Sequence, residues 1–285
     1  MTRFWKGHGL GNDYLVVDGR AGDVPITPAA FRLLCDRHRG VGSDGVLVQV
    51  ATARADFGLR IFNPDGSEAE KSGNGLRIFA RWLVEERSAP PTFTIDTAGG
   101  VVACACRLTD GVVTSVAVEM GRASFRAADV GLLGVDGDAV RVPLDVGDER
   151  LTVTTVSVGN PHCVVFVPVP DDARLARLGP AIEGHARFPA RTNVQLAAAR
   201  TRSEVDVRIW ERGAGATLAS GSSSCAVAAA AVREGRCDPG RIVVHMPGGV
   251  LSVEVRPDWS LRLDGPVAMV CSGVLSVELE RALNG

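Results

Sequence analysis

Arg60-Ile61-Phe62 leads, twelve residues on, to Ser72-Gly73-Asn74-Gly75, and Arg208-Ile209-Trp210 leads at the same interval to Ser220-Gly221-Ser222-Ser223. Each copy reads as a strand, a polar glycine-rich loop and the mouth of a helix. The echo predicts two similar lobes, each aiming a glycine-rich helix N-terminus at something. Exposed N–H groups at a helix start, helped by the helix dipole, suit a carboxylate or phosphate. Two such starts facing one cleft would present two serines to opposite sides of one small anionic ligand. The plainer alternative is two ordinary loop-to-helix junctions with N-capping serines.

Working outward, strand signals dominate. Apolar and alternating runs predict strands at 15–18, 46–50, 59–62, 93–97, 101–108, 113–120, 151–158, 163–167, 193–197, 205–210, 241–245, 250–255 and 274–279. Helices are expected at 27–36 behind a Thr27 cap, at 75–86 and at 224–234, where Gly235 stops the last. Leu76, Phe79, Ala80, Leu83 and Val84 share one helical face, as do Cys225, Ala228, Ala229 and Val232. The second of these helices is almost all Ala and Val, which predicts burial on every side. The expected fold class is therefore α+β: two similar lobes, each a strand-rich sheet wrapped around a central helix, with the active site in the cleft between them. We place the N-terminal lobe at 1–122, joined by the last strand at 273–285, and the C-terminal lobe at 123–272.

The 285 residues suffice for two domains, and 46% hydrophobic with 22% charged residues is ordinary for a soluble globular protein. A net charge of −2 with no basic run argues against a nucleic-acid partner. Met1–Lys6 contains no apolar core of a signal peptide, and no stretch reaches the apolar length of a membrane span, so we expect a cytoplasmic protein. Seven cysteines, an odd number scattered through apolar runs, read as reduced buried thiols. Lysine occurs only at Lys6 and Lys71, neither in an evident cofactor motif, which argues against a pyridoxal-phosphate Schiff base. The five histidines lack metal-ligand spacing, and there is no P-loop or complete dinucleotide fingerprint. No cofactor and no metal are expected.

Polar glycine clusters recur at 7–13, 40–45, 63–67, 159–162 and 211–215, each beside an apolar strand. Any one of them is explained by turn chemistry. Five of them, with the repeat, suggest loops gathered at a sheet rim to build a site.

These residues resemble the diaminopimelate epimerase family. The resemblance is carried by Lys6-Gly7-His8-Gly9-Leu10-Gly11-Asn12-Asp13, by 36–44, by Phe62–Glu68 and by Ser72–Arg77. It continues through Gly159-Asn160-Pro161-His162, Thr192-Asn193-Val194 and Glu211-Arg212-Gly213-Ala214-Gly215. It implies cofactor-independent stereoinversion at an amino-acid α-carbon, an isomerase of the lysine and cell-wall precursor pathway that interconverts LL- and meso-diaminopimelate. In that family two cysteines flank the carbon, one taking the α-proton and the other delivering a proton to the opposite face. A thiol at a helix start suits the task, because the dipole lowers its pKa. The resemblance further implies that N–H groups at Gly73-Asn74 and Gly221-Ser222 hold the reacting carboxylate. Asn12, Asn63, Asn160, Asn193, Glu211 and Arg212 would read the distal end of a small diamino dicarboxylate. His162 and Glu211 join Ser72 and Ser220 as catalytic candidates, and a homodimer is the expected assembly.

The departure matters as much as the match. Both family cysteine positions are serine here, Ser72 and Ser220, and a hydroxyl needs an adjacent base to be activated. A glutamate of the family pattern is replaced by Ala216. Leu76, Ile78 and Ser222–Ser224 differ as well, which fits a natural Ser/Ser branch. Cys225 lies about one and a half turns beyond Ser220 and reads as core. Three readings stay open: an epimerase working through serines, a same-fold isomerase or dehydratase of another small carboxylate using one base, and a catalytically impaired binder of an amino acid. For a single base, Lys71 beside Ser72 or His162 beside Ser220 are the pairings to consider.

Overall fold

The computed structural model describes residues 1–21 and 24–284. The chain begins with β1 (Arg3–Gly9), β2 (Asn12–Asp18), a 3-10 turn (Gly19–Ala21), α1 (Pro28–Cys35), β3 (Val46–Val50) and β4 (Phe57–Phe62). Next come β5 (Glu68–Ala69), α2 (Gly73–Arg87), β6 (Thr92–Thr97), β7 (Gly100–Thr109) and β8 (Val112–Arg122). Then follow α3 (Ala127–Val130), β9 (Val142–Val146), β10 (Glu149–Ser157), β11 (Pro161–Phe166), α4 (Asp172–Glu183), β12 (Asn193–Ala199) and β13 (Glu204–Glu211). After β14 (Gly215–Thr217), α5 (Gly221–Arg233), β15 (Gly240–Met246), β16 (Gly249–Val255) and β17 (Ser260–Pro266), the chain ends in β18 (Ala268–Val274) and α6 (Val277–Asn284).

Two compact units result, Met1–Val118 with Gly265–Gly285, and Glu119–Asp264. Their strand orders repeat. In the first, β2 pairs β1 antiparallel and β3 parallel, β3 pairs β4 antiparallel, and β4 pairs β6 parallel. In the second, β11 pairs β10 antiparallel and β12 parallel, β12 pairs β13 antiparallel, and β13 pairs β15 parallel. Parallel neighbours need a crossover. α1 and α4 lie in the first crossover of each unit, α2 and α5 in the second. The short strands β5 and β14 fold back on β4 and β13 immediately before those second helices. The sequence echo at Ser72 and Ser220 is thus a repeat of topology, and the α+β reading holds.

In each unit the second helix is the core. α5 packs against β10, β11, β12, β13, β15 and β16, and its Ala and Val side chains at 226–231 are buried while Val232 is half-buried. Small side chains let the surrounding strands approach closely. α2 packs against β1, β2 and β7, with Leu76, Ile78, Phe79, Trp82 and Leu83 fully buried. β1 admits α2 through glycine: a Cβ at Gly7 would stand 2.9 Å from Ile78 Cγ2, and one at Gly9 2.6 Å from Arg77 Nη2. Gly9→Ala is therefore expected to destabilise the protein by about 1–3 kcal/mol through overpacking, read as a lower midpoint in urea.

Three local expectations are corrected. Residues 274–279 were expected to be a strand; β18 ends at Val274 and α6 starts at Val277. Ser276 drives the change, since its hydroxyl accepts from Leu279 N (3.1 Å) and its carbonyl from Glu280 N (2.9 Å). The i, i+4 pair Leu279 and Leu283 then turns to the core built around Phe31 and Leu34. The glycine cluster at 7–13 is no open loop: Gly7 and Gly9 lie within β1, and Leu10 (φ 56°) with Gly11 (φ 90°) make a tight hairpin turn into β2. Helix α4 carries Gly179 and Pro180 in its interior, which hid its Leu175, Leu178 and Ile182 stripe. Gly179 is required there, because a Cβ would stand 2.6 Å from the Trp210 indole.

Candidate active site

In the first unit Ser72 is the N-cap of α2. Its extended backbone (φ −140°, ψ 117°) stops the helix upstream, and its Oγ accepts from Gly75 N at 3.0 Å. The same hydroxyl donates to the Tyr14 hydroxyl at 3.3 Å. Asn74, in the first turn, donates through Nδ2 to Asn12 Oδ1 (3.1 Å) and accepts through Oδ1 from Arg77 Nη2 (2.7 Å). Asn12 Nδ2 donates to Asp44 Oδ2 at 3.0 Å. Beside them Asp13 meets Lys6 Nζ at 2.9 Å and Arg37 Nη2 at 2.8 Å. Burial pushes the Asp13 carboxyl up, but hydrogen bonds from Arg37 and Lys6 outweigh it and hold it at about 2. Asn63 stays within its own turn, donating to Ser67 Oγ at 3.0 Å.

In the second unit Ser220 caps α5 in the same conformation (φ −147°, ψ 127°), its Oγ taking Ser223 N. That hydroxyl donates to Glu211 Oε2 at 3.1 Å and lies 3.4 Å from Ser222 Oγ. His162 is completely buried, with Nε2 on Asn160 Oδ1 (2.9 Å) and Nδ1 on Gln195 Nε2 (3.0 Å). An amide oxygen only accepts and an amide nitrogen only donates, so the ring is neutral with its proton on Nε2. Burial first, and then the Arg212 charge, press its pKa down to about 3. Asn193 donates to Pro161 O (2.8 Å) and accepts from Arg212 N (2.9 Å). The Arg212 guanidinium is exposed and donates to Ala190 O at 3.1 Å.

Ser72, Gly73, Asn74 and Asn12 are thus gathered at the start of α2, and Ser220, Gly221, Ser222 and Glu211 at the start of α5. Asn160 in the turn before β11, His162 on β11, Asn193 on β12 and Arg212 in the loop after β13 form a connected set. Ser220 turns to Glu211 rather than to His162, whose ring nitrogens are both engaged. By helix geometry the first-turn N–H groups of Gly73, Asn74, Gly221 and Ser222 have no intrahelical carbonyl to meet, so each helix start offers donors to an anion.

Sequence reading missed Tyr14, Gln195 and Glu183. Tyr14 is the sole tyrosine of the chain, and Gln195 is a polar residue in an apolar strand, two positions and therefore one face from Asn193. Glu183 ends α4 and accepts from Trp210 Nε1 (2.7 Å), Gly213 N (2.9 Å) and Arg191 Nη1 (2.9 Å), pinning the loop that carries Glu211 and Arg212. The thiols stand aside: none of the seven is in a disulfide, Cys225 is buried, and burial pushes Cys163 up to about 12. Among the described residues no group of three His, Cys, Asp or Glu is placed to hold a metal ion, and no helix is long and apolar enough to cross a membrane.

The family model of diaminopimelate epimerase matches residues 4–126 and 154–270. This chain belongs to the diaminopimelate epimerase family. It is 43% identical to diaminopimelate epimerase 2 of Nostoc sp., over 97% of this chain and 96% of that one. To the diaminopimelate epimerase of Desulfitobacterium hafniense it is 40% identical, over 98% and 99%. Its fold is shared with a hydroxyproline epimerase from Agrobacterium vitis (TM-score 0.72, 17% identity, 95% and 90% covered). A methylitaconate-delta-isomerase also shares it (TM-score 0.68, 13% identity, 100% and 97% covered). The chain is accordingly an isomerase of the epimerase type.

The buried neutral imidazole is expected to cost the protein stability in acid. The His162 pKa is lower folded than unfolded, so the unfolded chain binds the extra proton first. Stability is unaffected above the unfolded value and falls as pH drops from about 6.5 toward the folded value near 3. The expected loss approaches 1.4 kcal/mol per pH unit within that window. Urea titrations between pH 7 and 4 should show this slope in wild type and a shallower one in His162→Gln; equal slopes would assign the acid lability elsewhere.

Proposed function

We propose that the protein interconverts stereoisomers of diaminopimelate without a cofactor, Ser220 removing the α-proton from one face while Ser72 supplies a proton to the other. The reacting carboxylate rests on the N–H groups of Gly73-Asn74 and Gly221-Ser222, where developing carbanion charge meets fixed donors. Ser220 Oγ takes the α-proton as its own proton passes to Glu211. Ser72 delivers its proton to the other face, the Tyr14 hydroxyl then turns to give its own proton to Ser72, and exchange with solvent restores Tyr14 and takes the proton from Glu211. Asn12, Asn63, Asn160, Asn193 and Arg212 read the distal end, Arg212 by pairing with a carboxylate.

The observation that carries this reading is the 3.1 Å hydrogen bond from Ser220 to Glu211, which gives a weakly acidic hydroxyl the adjacent base it needs. Glu211→Gln keeps the shape and removes the base. It is expected to lower α-proton exchange into solvent by roughly 10²–10⁴-fold, measured by NMR in deuterated water. Exchange at the wild-type rate would remove Glu211 from the mechanism.

A second reading has a specific observation behind it. Ser72 meets a tyrosine hydroxyl, a much weaker base than a carboxylate, so the two faces are unequally equipped. One-base chemistry on a small carboxylate would give exchange or product without inversion. We also propose a cytoplasmic homodimer; light scattering at the mass of one chain would contradict the dimer.

A further inference from the structure

The start of α2 contains a hydrogen-bonded chain with a direction: Arg77 Nη2 to Asn74 Oδ1 (2.7 Å), Asn74 Nδ2 to Asn12 Oδ1 (3.1 Å), Asn12 Nδ2 to Asp44 Oδ2 (3.0 Å). An amide has one accepting and one donating end, so each terminus of the chain sets the amide it touches directly and the more distant one only through it. Both termini are charged. Arg77, fully buried, only donates, and its Nη1 is also spent on Gly73 O at 3.1 Å. Asp44 accepts, and its other oxygen is tied to Arg37 Nη2 at 2.9 Å. Turning both amides over would set Asn74 Nδ2 against the guanidinium and Asn12 Oδ1 against the carboxylate. Asn74 is 5% exposed, so water offers it little compensation.

We propose that Arg77 and Asp44 are positioning residues that lock the amide polarity of Asn74 and Asn12 and so fix which polar edge the first unit offers the substrate. Arg77 also grips the first turn of α2 next to Ser72, joining the orientation of the amides to the placement of the helix start. Gly9 belongs to the same device, since the 2.6 Å between its would-be Cβ and Arg77 Nη2 leaves room for the guanidinium alone. The consequence for KM rests on the epimerase reading above; the state of the amides does not.

Two variants test the lock. Asp44→Asn removes the charge that forces Asn12 Nδ2 toward position 44. Arg37→Met removes an ion-pair partner of Asp44 but touches neither asparagine. The readouts are the side-chain amide signals of Asn12 and Asn74 in nitrogen-15 NMR and the KM for diaminopimelate. Asp44→Asn is expected to double or broaden the Asn12 signals, while Asn74 stays held by Arg77, and to raise KM about tenfold or more with a smaller change in kcat. Arg37→Met is expected to keep one sharp set and a KM within about twofold of wild type. Unaltered Asn12 signals in Asp44→Asn, or the same doubling in Arg37→Met, overturns the proposal. If the wild type does not turn over diaminopimelate, the epimerase reading fails while the amide signals still decide the lock.

Discussion

Replacing Ser72 and Ser220 together by cysteine raises the rate of stereoinversion of diaminopimelate by roughly 100-fold or more. Both serines are N-caps with extended backbones, and a cysteine there puts a slightly larger group with a far more acidic proton at the same position. At a helix start a thiol pKa falls to about 3.5–7.5, so the thiolate is present at neutral pH where an alkoxide is not. Stereochemistry is the informative part. Either single cysteine variant should gain α-proton exchange yet little inversion, because one base serves one face. Ala216, next to Gly215 on β14, stands where the resemblance puts a glutamate, and Ala216→Glu should add to the double variant. A double variant that binds substrate but neither exchanges nor inverts would show divergence beyond these two positions and favour the one-base reading. Capping is expected to be preserved only in part, since sulfur accepts poorly. A modest fall in the unfolding midpoint is compatible with the gain in rate.

Arg212→Ala should weaken binding of a diamino dicarboxylate by about 2–5 kcal/mol, or roughly 30- to 4,000-fold in Kd. Its backbone is held by Asn193 and its loop by Glu183 through Gly213 N, while the guanidinium is exposed with one nitrogen on Ala190 O. A guanidinium can take a planar carboxylate through two parallel N–H bonds, and a held loop lowers the reorganisation that such a contact would require. Calorimetry with meso-diaminopimelate measures the loss. Unchanged affinity would reduce Arg212 to a tie onto Ala190. Glu183→Gln offers an internal comparison: it leaves the guanidinium intact but loosens the loop, and should cost less than Arg212→Ala.

The repeat was legible because both copies obey the same two constraints, a parallel pair of strands and a glycine-rich turn into a buried helix. Ser72 and Ser220 could be read as caps from residue type alone. Helix α4 could not, since Gly179 and Pro180 break the local pattern and only the indole of Trp210 explains the glycine. Nor could the glycines of β1, which read as loop but serve the close approach of α2. The resemblance singled out the asparagines but gave no sign of their partners. Asp44 and Arg77 lie 32 and 3 residues from the amides they hold, and neither spacing distinguishes a lock from an ordinary surface charge. His162 illustrates the same limit: a histidine beside Asn160-Pro161 suggests acid–base work, and only its burial between Asn160 and Gln195 reveals a neutral ring.

The central claim is that the serine pair performs proton transfer at the α-carbon of diaminopimelate, and α-proton exchange is its most direct measure. Wild-type protein incubated with meso-diaminopimelate in deuterated water should incorporate deuterium at an α-position, with LL isomer appearing alongside, and Glu211→Gln should suppress both. Binding of meso-diaminopimelate in calorimetry with no deuterium at the α-carbon would contradict the account and leave the protein a binder of the ligand its family transforms.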